Sequence, residues 1–396
     1  MEFNLNRILS PPDTADVVII GAGIVGAAVA FHAMEAGMNP ILVERRTAPA
    51  SLTTPKATGA FRLQFDNREE IELISESVNF YVGFHDAFGI DIGVYQQGYL
   101  WCGFDEEICE RQLRQVELQR GWGLEDVELL SGDETRSRFP FVGPDVLQAR
   151  FRAGDGFVDP PRLALALLQL SDAHVLLETE VINIEVSDGS VQGLLTSRGP
   201  IMTSNIVVAG GPFSQQLCRL AGVELPLEPM NRHKLIIRDA PFVPADAPMT
   251  IDEHTGSHWR PAFGGAYLLH TDDFTPTSEP ELEPQGDPDF YQRLLNPSSP
   301  FSVHRISPFW ERAWDNPNLS WEVIAGQYTM TPDHRPLIGQ TEVGGLYINA
   351  GYSGHGIMGS FACSRMLVDL MCGQVLVDGN PLAPEREFVE REMVGI

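Results

Sequence analysis

The stretch Val17-Val18-Ile19-Ile20-Gly21-Ala22-Gly23-Ile24-Val25-Gly26 decides the fold. Its first four residues are apolar and β-branched, as in a strand buried on both faces of a parallel sheet. Three glycines follow at GxGxxG spacing, then Ala27 to Ala36 with helical character and Gly37 as a C-terminal stop. A second apolar run, Pro40 to Val43, ends in Glu44, 23 residues after Gly21. The glycines have separate tasks: a tight turn, close approach of backbone to a pyrophosphate, and close packing of helix on strand. The helix N-terminus turns free N–H groups toward phosphate, and a carboxylate at Glu44 is placed to bond ribose hydroxyls. Strand, glycines, helix, strand and acid in this order point to a dinucleotide site, where a bare GxGxxG would not. Arg45 and Arg46 raise a 2′-phosphate as a minority reading, but the acid at the strand end favours a free ribose.

Composition excludes other functions. The 396 residues include 54 acidic and 27 basic side chains, a formal charge of −27, and only Lys56 and Lys234 are lysines. A field of that sign repels phosphate backbones and anionic lipid, which argues against nucleic-acid binding and against attachment through a basic patch. With 43% hydrophobic residues the chain is globular, and its length suggests two domains or a large core with an inserted unit. Five cysteines (102, 109, 218, 363, 372) form no CxxC and are odd in number, so neither a disulfide framework nor a metal site is expected. Met1 to Asp16 carries no leader pattern and no apolar run reaches the ~18 residues of a membrane span. A soluble cytoplasmic protein is the expectation.

After Glu44 the regular βα pattern breaks. Thr53 to Arg62 is a loop of small residues, Glu69 to Phe88 is predicted helical, and Ile206-Val207-Val208-Ala209-Gly210-Gly211 is a late small-residue strand followed by Pro212-Phe213-Ser214 opening a helix. Near the C-terminus stand Tyr328-Thr329-Met330-Thr331-Pro332-Asp333, the strand Leu346 to Asn349, Gly351-Tyr352-Ser353-Gly354-His355-Gly356-Ile357-Met358, and a helix from Ser360 to Met371. With Gly98-Tyr99-Leu100-Trp101 and Asp155-Gly156-Phe157-Val158-Asp159-Pro160, these blocks resemble, in register, the FAD-dependent oxidoreductases of the D-amino-acid oxidase superfamily. The likeness is to its sarcosine oxidase, glycine oxidase and dimethylglycine dehydrogenase branch, and it covers Asp16 to about Gly373.

The resemblance implies an α/β fold with a discontinuous Rossmann-like FAD domain of the glutathione-reductase type (16–80, 154–224, 324–396). An α+β substrate domain with a mainly antiparallel sheet (81–153, 225–323) would cover the flavin. It implies oxidation of the C–N bond of a small amine or N-alkyl amino acid by hydride transfer to flavin N5, with dioxygen or another acceptor taking the electrons. By resemblance FAD contacts fall on Thr53, Thr54, Lys56, Gly59, Ala60, Val181, Ala209, Gly210, Gly211, Gly326 and the block Gly351 to Met358, besides the first fingerprint. Arg62 falls where sarcosine oxidases carry an arginine for the substrate carboxylate, and Tyr328 at an active-site tyrosine. The cysteine that tethers flavin in monomeric sarcosine oxidases is matched by Gly326, and no histidine stands in the loop used by the dehydrogenases, so FAD is expected to be noncovalent. The lysine above the flavin is matched near Leu269, which leaves oxidase and dehydrogenase both open. Lys56 either replaces that cation or is exposed, and His355 either meets the flavin or caps its turn. Two alternatives stand beside the enzyme reading: a non-catalytic flavin-bearing scaffold or assembly factor, and the catalytic subunit of a hetero-oligomeric amine oxidase. An oligomer is left open. Asp272 to Asp289, with seven acids, four prolines and no base, is expected to be a solvated surface loop.

Overall fold

The computed structural model describes residues 3–374 and 379–389. The last part of the third expected FAD-domain piece (375–378 and 390–396) therefore lies outside the described residues. The apolar run Val17–Ile20 forms the middle of a six-stranded sheet ordered Leu337–Gln340, Leu346–Ala350, Ile206–Val208, Val17–Ile20, Pro40–Val43, His174–Leu176. All pairs are parallel except the first, and Val17 to Ile20 is fully buried, as a strand covered on both faces requires. The helix Ile24–Glu35 packs between Pro160–Ser171 and Gly356–Met371. Its Ala27, Ala28, Ala30 and Ala33 have no exposed surface, and small side chains let neighbouring helices approach closely. Asn67 caps a long helix, Arg68–Phe88, by accepting from the Glu70 N–H (2.8 Å). That helix runs unbroken through residues 80 and 81 and stacks Phe80 on Phe361 (3.6 Å between ring centres), so it packs as a whole on the nucleotide-binding unit.

The second sheet has nine strands and is antiparallel except where Met249–Asp252 pairs with Tyr99–Gly103. Period-two alternation gives it two different faces. Leu100, Cys102, Phe151, Leu235, Ile237, Trp259 and Leu268 point into an apolar core closed by Phe290 and Trp310. The residues between them carry cations and aromatics on the other face: Trp101 opposite Arg150, Arg260 opposite Tyr267, Lys234 opposite Ile324. The strand Ser320–Met330 pairs along its whole length with Glu228–Arg238; it starts exposed at Ser320 and ends buried at Met330 beside the nucleotide-binding unit.

The acidic segment from Asp272 to Asp289 lies at the surface as expected, and it is also anchored. Many of its side chains are exposed, but its backbone is tied across the junction of the two units. Asp273 is buried and accepts from the His233 N–H (2.7 Å), and Thr275–Pro276 adds an edge pair to Met230 and Asn231. The Glu281 N–H donates to Gln327 Oε1 (2.6 Å), and Gln327 Nε2 donates to Thr277 Oγ1 (3.1 Å). Glu283 meets Arg46 at 3.1 Å. Composition reported the exposed side chains and missed the backbone bonds. Because Gln327 is 2% exposed, Gln327→Leu removes two buried bonds and is expected to cost about 1–3 kcal/mol in urea unfolding and to speed proteolysis within 272–289.

Candidate functional site

One cavity of about 380 Å³ runs between the glycine-rich turn and the end of the strand Ser320–Met330. Gly21, Gly23, Ile24 and Val25 line its first end, with Glu44 and Arg45 from the second strand. The turn is held from below. Glu44 Oε2 accepts from the Ala22 N–H and Oε1 from the Arg46 N–H, both at 2.9 Å. Gly23 starts the helix without a side-chain cap, and the Ile24 N–H is met by Thr54 Oγ1 from the small-residue loop (3.1 Å). Arg45 lies 3.6 Å over the Phe213 ring, and its buried Nη2 has no acceptor among the described residues. Thr53, Thr54, Val181, Ala209, Gly210 and Gly211 complete this part of the wall.

The other end is built by Tyr328, by Gly351 to Gly354, and by Gly356 and Ile357. Ser353 joins this block to the long strand: its N–H donates to Thr329 O (3.0 Å) and its hydroxyl accepts from the Thr331 N–H (3.2 Å). The helix starts at Gly356, four residues before the predicted Ser360, so its first turn belongs to the cavity wall. Its N-terminus therefore presents N–H groups and the positive end of the helix dipole to whatever fills this end.

Other sequence-derived residues lie behind this wall. Ala22 is enclosed, and a side chain on Gly26 would collide with Gly21 O. Gly59 and Ala60 pack on Val158 to Pro160 and on Phe157. Lys56 lies against Gly326, half-buried, in the field of Glu283 and Glu281; burial, the larger effect, lowers its ammonium below the ordinary lysine value. Met358 is buried. His355 sits edge-on to Phe65, and burial, followed by the nearby Arg62, holds it down at about 3, so it is neutral at ordinary pH. Arg62 is 2% exposed, donates to Gln64 O (2.7 Å) and lies over the Phe65 and Trp101 rings. Burial lowers its pKa, while Tyr99, Glu70 and Asp155 oppose the shift.

Three residues that the sequence reading did not assign to the site stand behind its loop. Lys234 Nζ donates to Ala57 O (3.0 Å) and lies 4.1 Å from the Tyr267 ring; Arg260 donates to Thr58 O and lies over the same ring. Two buried cations of the second sheet thus grip consecutive carbonyls of the loop that lines the cavity. Tyr99 stands beside them within the fields of Arg62, Arg260 and Tyr328, and its burial raises its hydroxyl above the ordinary tyrosine value. Lys234 carried a legible signal, as one of two lysines on a strand that alternates apolar and cationic positions. Burial, with Arg260 adding to it, brings Lys234 down to about 7 from 10.5. Between those values the unfolded chain holds a proton that the fold does not, so this group makes stability rise with pH from about 7 to 10.5. Lys234→Met is therefore expected to gain most over the wild type near pH 6, the difference shrinking toward pH 10 in urea unfolding series. A difference independent of pH would contradict the assignment.

Among the described residues no helix is long and apolar enough to cross a membrane, and no group of three or more His, Cys, Asp or Glu is arranged to hold a metal.

Comparison with known proteins agrees with this geometry. The family described as "FAD dependent oxidoreductase" (DAO) matches residues 16–370. A glycine oxidase from Pseudomonas aeruginosa is 26% identical over 93% of this chain and 98% of its own. FAD-dependent oxidoreductase domain-containing protein 1 of Xenopus laevis is 25% identical over 93% of this chain and 80% of its own. Human mitochondrial sarcosine dehydrogenase is 24% identical over 90% of this chain, which spans only 39% of that longer protein. Among solved structures, L-proline dehydrogenase from P. horikoshii superposes with a TM-score of 0.81 at 25% identity, covering 94% of this chain and 96% of its own.

Proposed function

Because the chain belongs to the DAO family of FAD-dependent oxidoreductases, we propose that it oxidises the C–N bond of a small amine or N-alkyl amino acid with FAD held noncovalently. The observation that carries the reading is one cavity with a nucleotide cradle at one end and, at the other, Tyr328 near a cationic, aromatic sheet face. The residues fit the cofactor. A side chain could not replace hydrogen at Gly21 or Gly26 without meeting backbone, and the orphaned Arg45 Nη2 at the nucleotide end awaits an acceptor. FAD, when bound, supplies the acceptor for the hydride leaving the carbon next to nitrogen.

The chain's own work is binding and orientation. The N-termini at Gly23 and Gly356 stabilise negative charge at the two ends of the cavity. Arg62 anchors the substrate carboxylate, since its planar fork matches two carboxylate oxygens. The Tyr328 ring and hydroxyl shape the reacting end, and Lys234 and Arg260 hold the loop that closes it. Noncovalent FAD is supported by a wall that contains neither cysteine nor histidine among the described residues.

The test is an absorbance spectrum of the purified protein before and after anaerobic addition of sarcosine, proline, glycine and D-amino acids. Flavin absorbance that bleaches with one of them, and yellow colour left in the supernatant after acid precipitation, are expected. A colourless protein sinks the cofactor assignment, and flavin that no amine reduces sinks the reaction.

A further inference from the structure

The face of the nine-stranded sheet that meets the cofactor unit carries more buried positive charge than a monocarboxylate amine can use. Arg62, Arg150, Arg260 and Lys234 are 2%, 3%, 9% and 3% exposed. Among the described residues, Arg150, Arg260 and Lys234 form no ion pair. Arg260 and Lys234 are at least bonded to loop carbonyls. Among the described residues none accepts a hydrogen bond from Arg150, and its Nε is buried without a partner. A buried guanidinium left without an acceptor is costly, so such groups pair with something.

The surroundings of Arg150 show what is missing. It stands directly across from Trp101 on the neighbouring strand, 5.1 Å from the indole ring, while Arg62 lies 5.5 Å from that same ring. Among the described residues the buried Trp101 Nε1–H meets no acceptor and the buried Gln64 Oε1 no donor. Gln64 cannot turn round to remedy this, because its Nε2 donates to Asp155 (2.9 Å) and to Tyr99 O (3.3 Å). The charged groups facing Arg150 are Glu253, Arg62, Asp155 and Arg111. Both acids are already engaged: Asp155 by Arg152, Gln64 and the Leu63 N–H, and Glu253 by Arg111 and Gln112. Tyr99, two residues from Trp101 on the same face, lies within the fields of both Arg62 and Tyr328; of these residues Tyr328 lines the cavity, and Arg62, Gln64, Tyr99, Trp101 and Arg150 stand behind its wall.

Resting on the amine reading above, we infer that the substrate carries a second anionic group. This is a carboxylate, or its equivalent, a short carbon chain away from the first. Arg62 takes one carboxylate and Arg150, with the Trp101 N–H beside it, takes the other; Gln64 Oε1 accepts from the substrate nitrogen or from a neighbouring hydroxyl. The substrate class is thus dicarboxylic: an acidic amino acid, or an amine bearing two carboxyalkyl arms. Arg150 is then a specificity-determining residue.

The test uses binding, so it does not depend on turnover. The FAD-loaded protein is titrated with malonate, succinate and glutarate and with monocarboxylates of matching length, read by perturbation of the flavin spectrum and by calorimetry. The dicarboxylate of best length is expected to bind about 10-fold or more tightly than its monocarboxylate counterpart. The ratio should fall toward one in Arg150→Met and be largely kept in Arg150→Lys. No preference in the wild type, or a preference that survives Arg150→Met, overturns the assignment; should Arg150→Met fail to fold, the wild-type series and Arg150→Lys decide it. A dicarboxylate preference in a protein that no amine reduces would leave this subsite standing and remove the oxidation reading. Reduction by amines without the preference would do the reverse.

Discussion

Gly26→Ala is expected to yield a protein purified almost free of flavin, with its affinity for added FAD reduced at least 100-fold, about 3 kcal/mol. The reason is local and steric. A Cβ built on Gly26 falls 1.9 Å from Gly21 O and 3.0 Å from Gly21 C, and neither backbone atom can step aside. Gly21 is itself fixed at φ +106, with Ala209 O 2.5 Å from where its own side chain would be. Glu44 holds Ala22 in between. The helix must therefore back away from the turn, taking its N–H groups out of reach of a pyrophosphate. Gly37→Ala is the control. That glycine has φ +82 with open space around it at the far end of the same helix, so about 1 kcal/mol of strain is expected with FAD retained. The flavin-to-protein absorbance ratio of the two variants decides the matter, and a fully yellow Gly26→Ala would refute the cradle.

Arg62→Met is expected to raise the KM for a carboxylate-bearing substrate by 30-fold or more, corresponding to about 2–5 kcal/mol for a buried charged partner. The guanidinium is enclosed, bonded to Gln64 O and pressed on Phe65 and Trp101, so its fork is held in one orientation before a ligand arrives. Arg62→Lys keeps the charge and loses the fork, and only part of the affinity should return. The discriminating measurement is the same pair of variants on an amine without a carboxylate. If both amines suffer equally, Arg62 shapes the wall and does not anchor the acid.

The parts of this molecule that sequence exposes are those built from neighbours along the chain. Val17 to Glu44 makes strand, turn, helix and strand within 28 residues, each step marked by its own residue type, and Gly21, Gly23, Ile24, Val25 and Glu44 line the cavity. The block from Gly351 was legible for the same reason, although its helix begins before Ser360 because the His355-Gly356 turn is already wound. What stayed hidden comes from pairing across distance. Lys234, Arg260, Tyr99 and Arg150 lie on four strands, and which face of each strand meets the cofactor unit is set by register, not by composition. Alternation in Glu228 to Arg238 separates Arg232 and Lys234 from Leu235 and Ile237, yet it does not say which set is buried against an apolar core. The acidic segment was legible in its exposure and not in its anchoring. Its side chains are solvated as their chemistry demands, while Gln327, far along the chain, captures its backbone.

The arrangement of the six-stranded sheet also has a consequence in time. Val17–Ile20 and Pro40–Val43 are synthesised well before Ile206–Val208 joins them, and Leu346–Ala350 with the helix start at Gly356 follows as the last strand of that sheet. The nascent chain thus carries an open parallel pair, one apolar edge unpaired, until Ile206–Val208 has been made. The cavity is therefore not walled at its second end until Gly351 to Ile357 has been made.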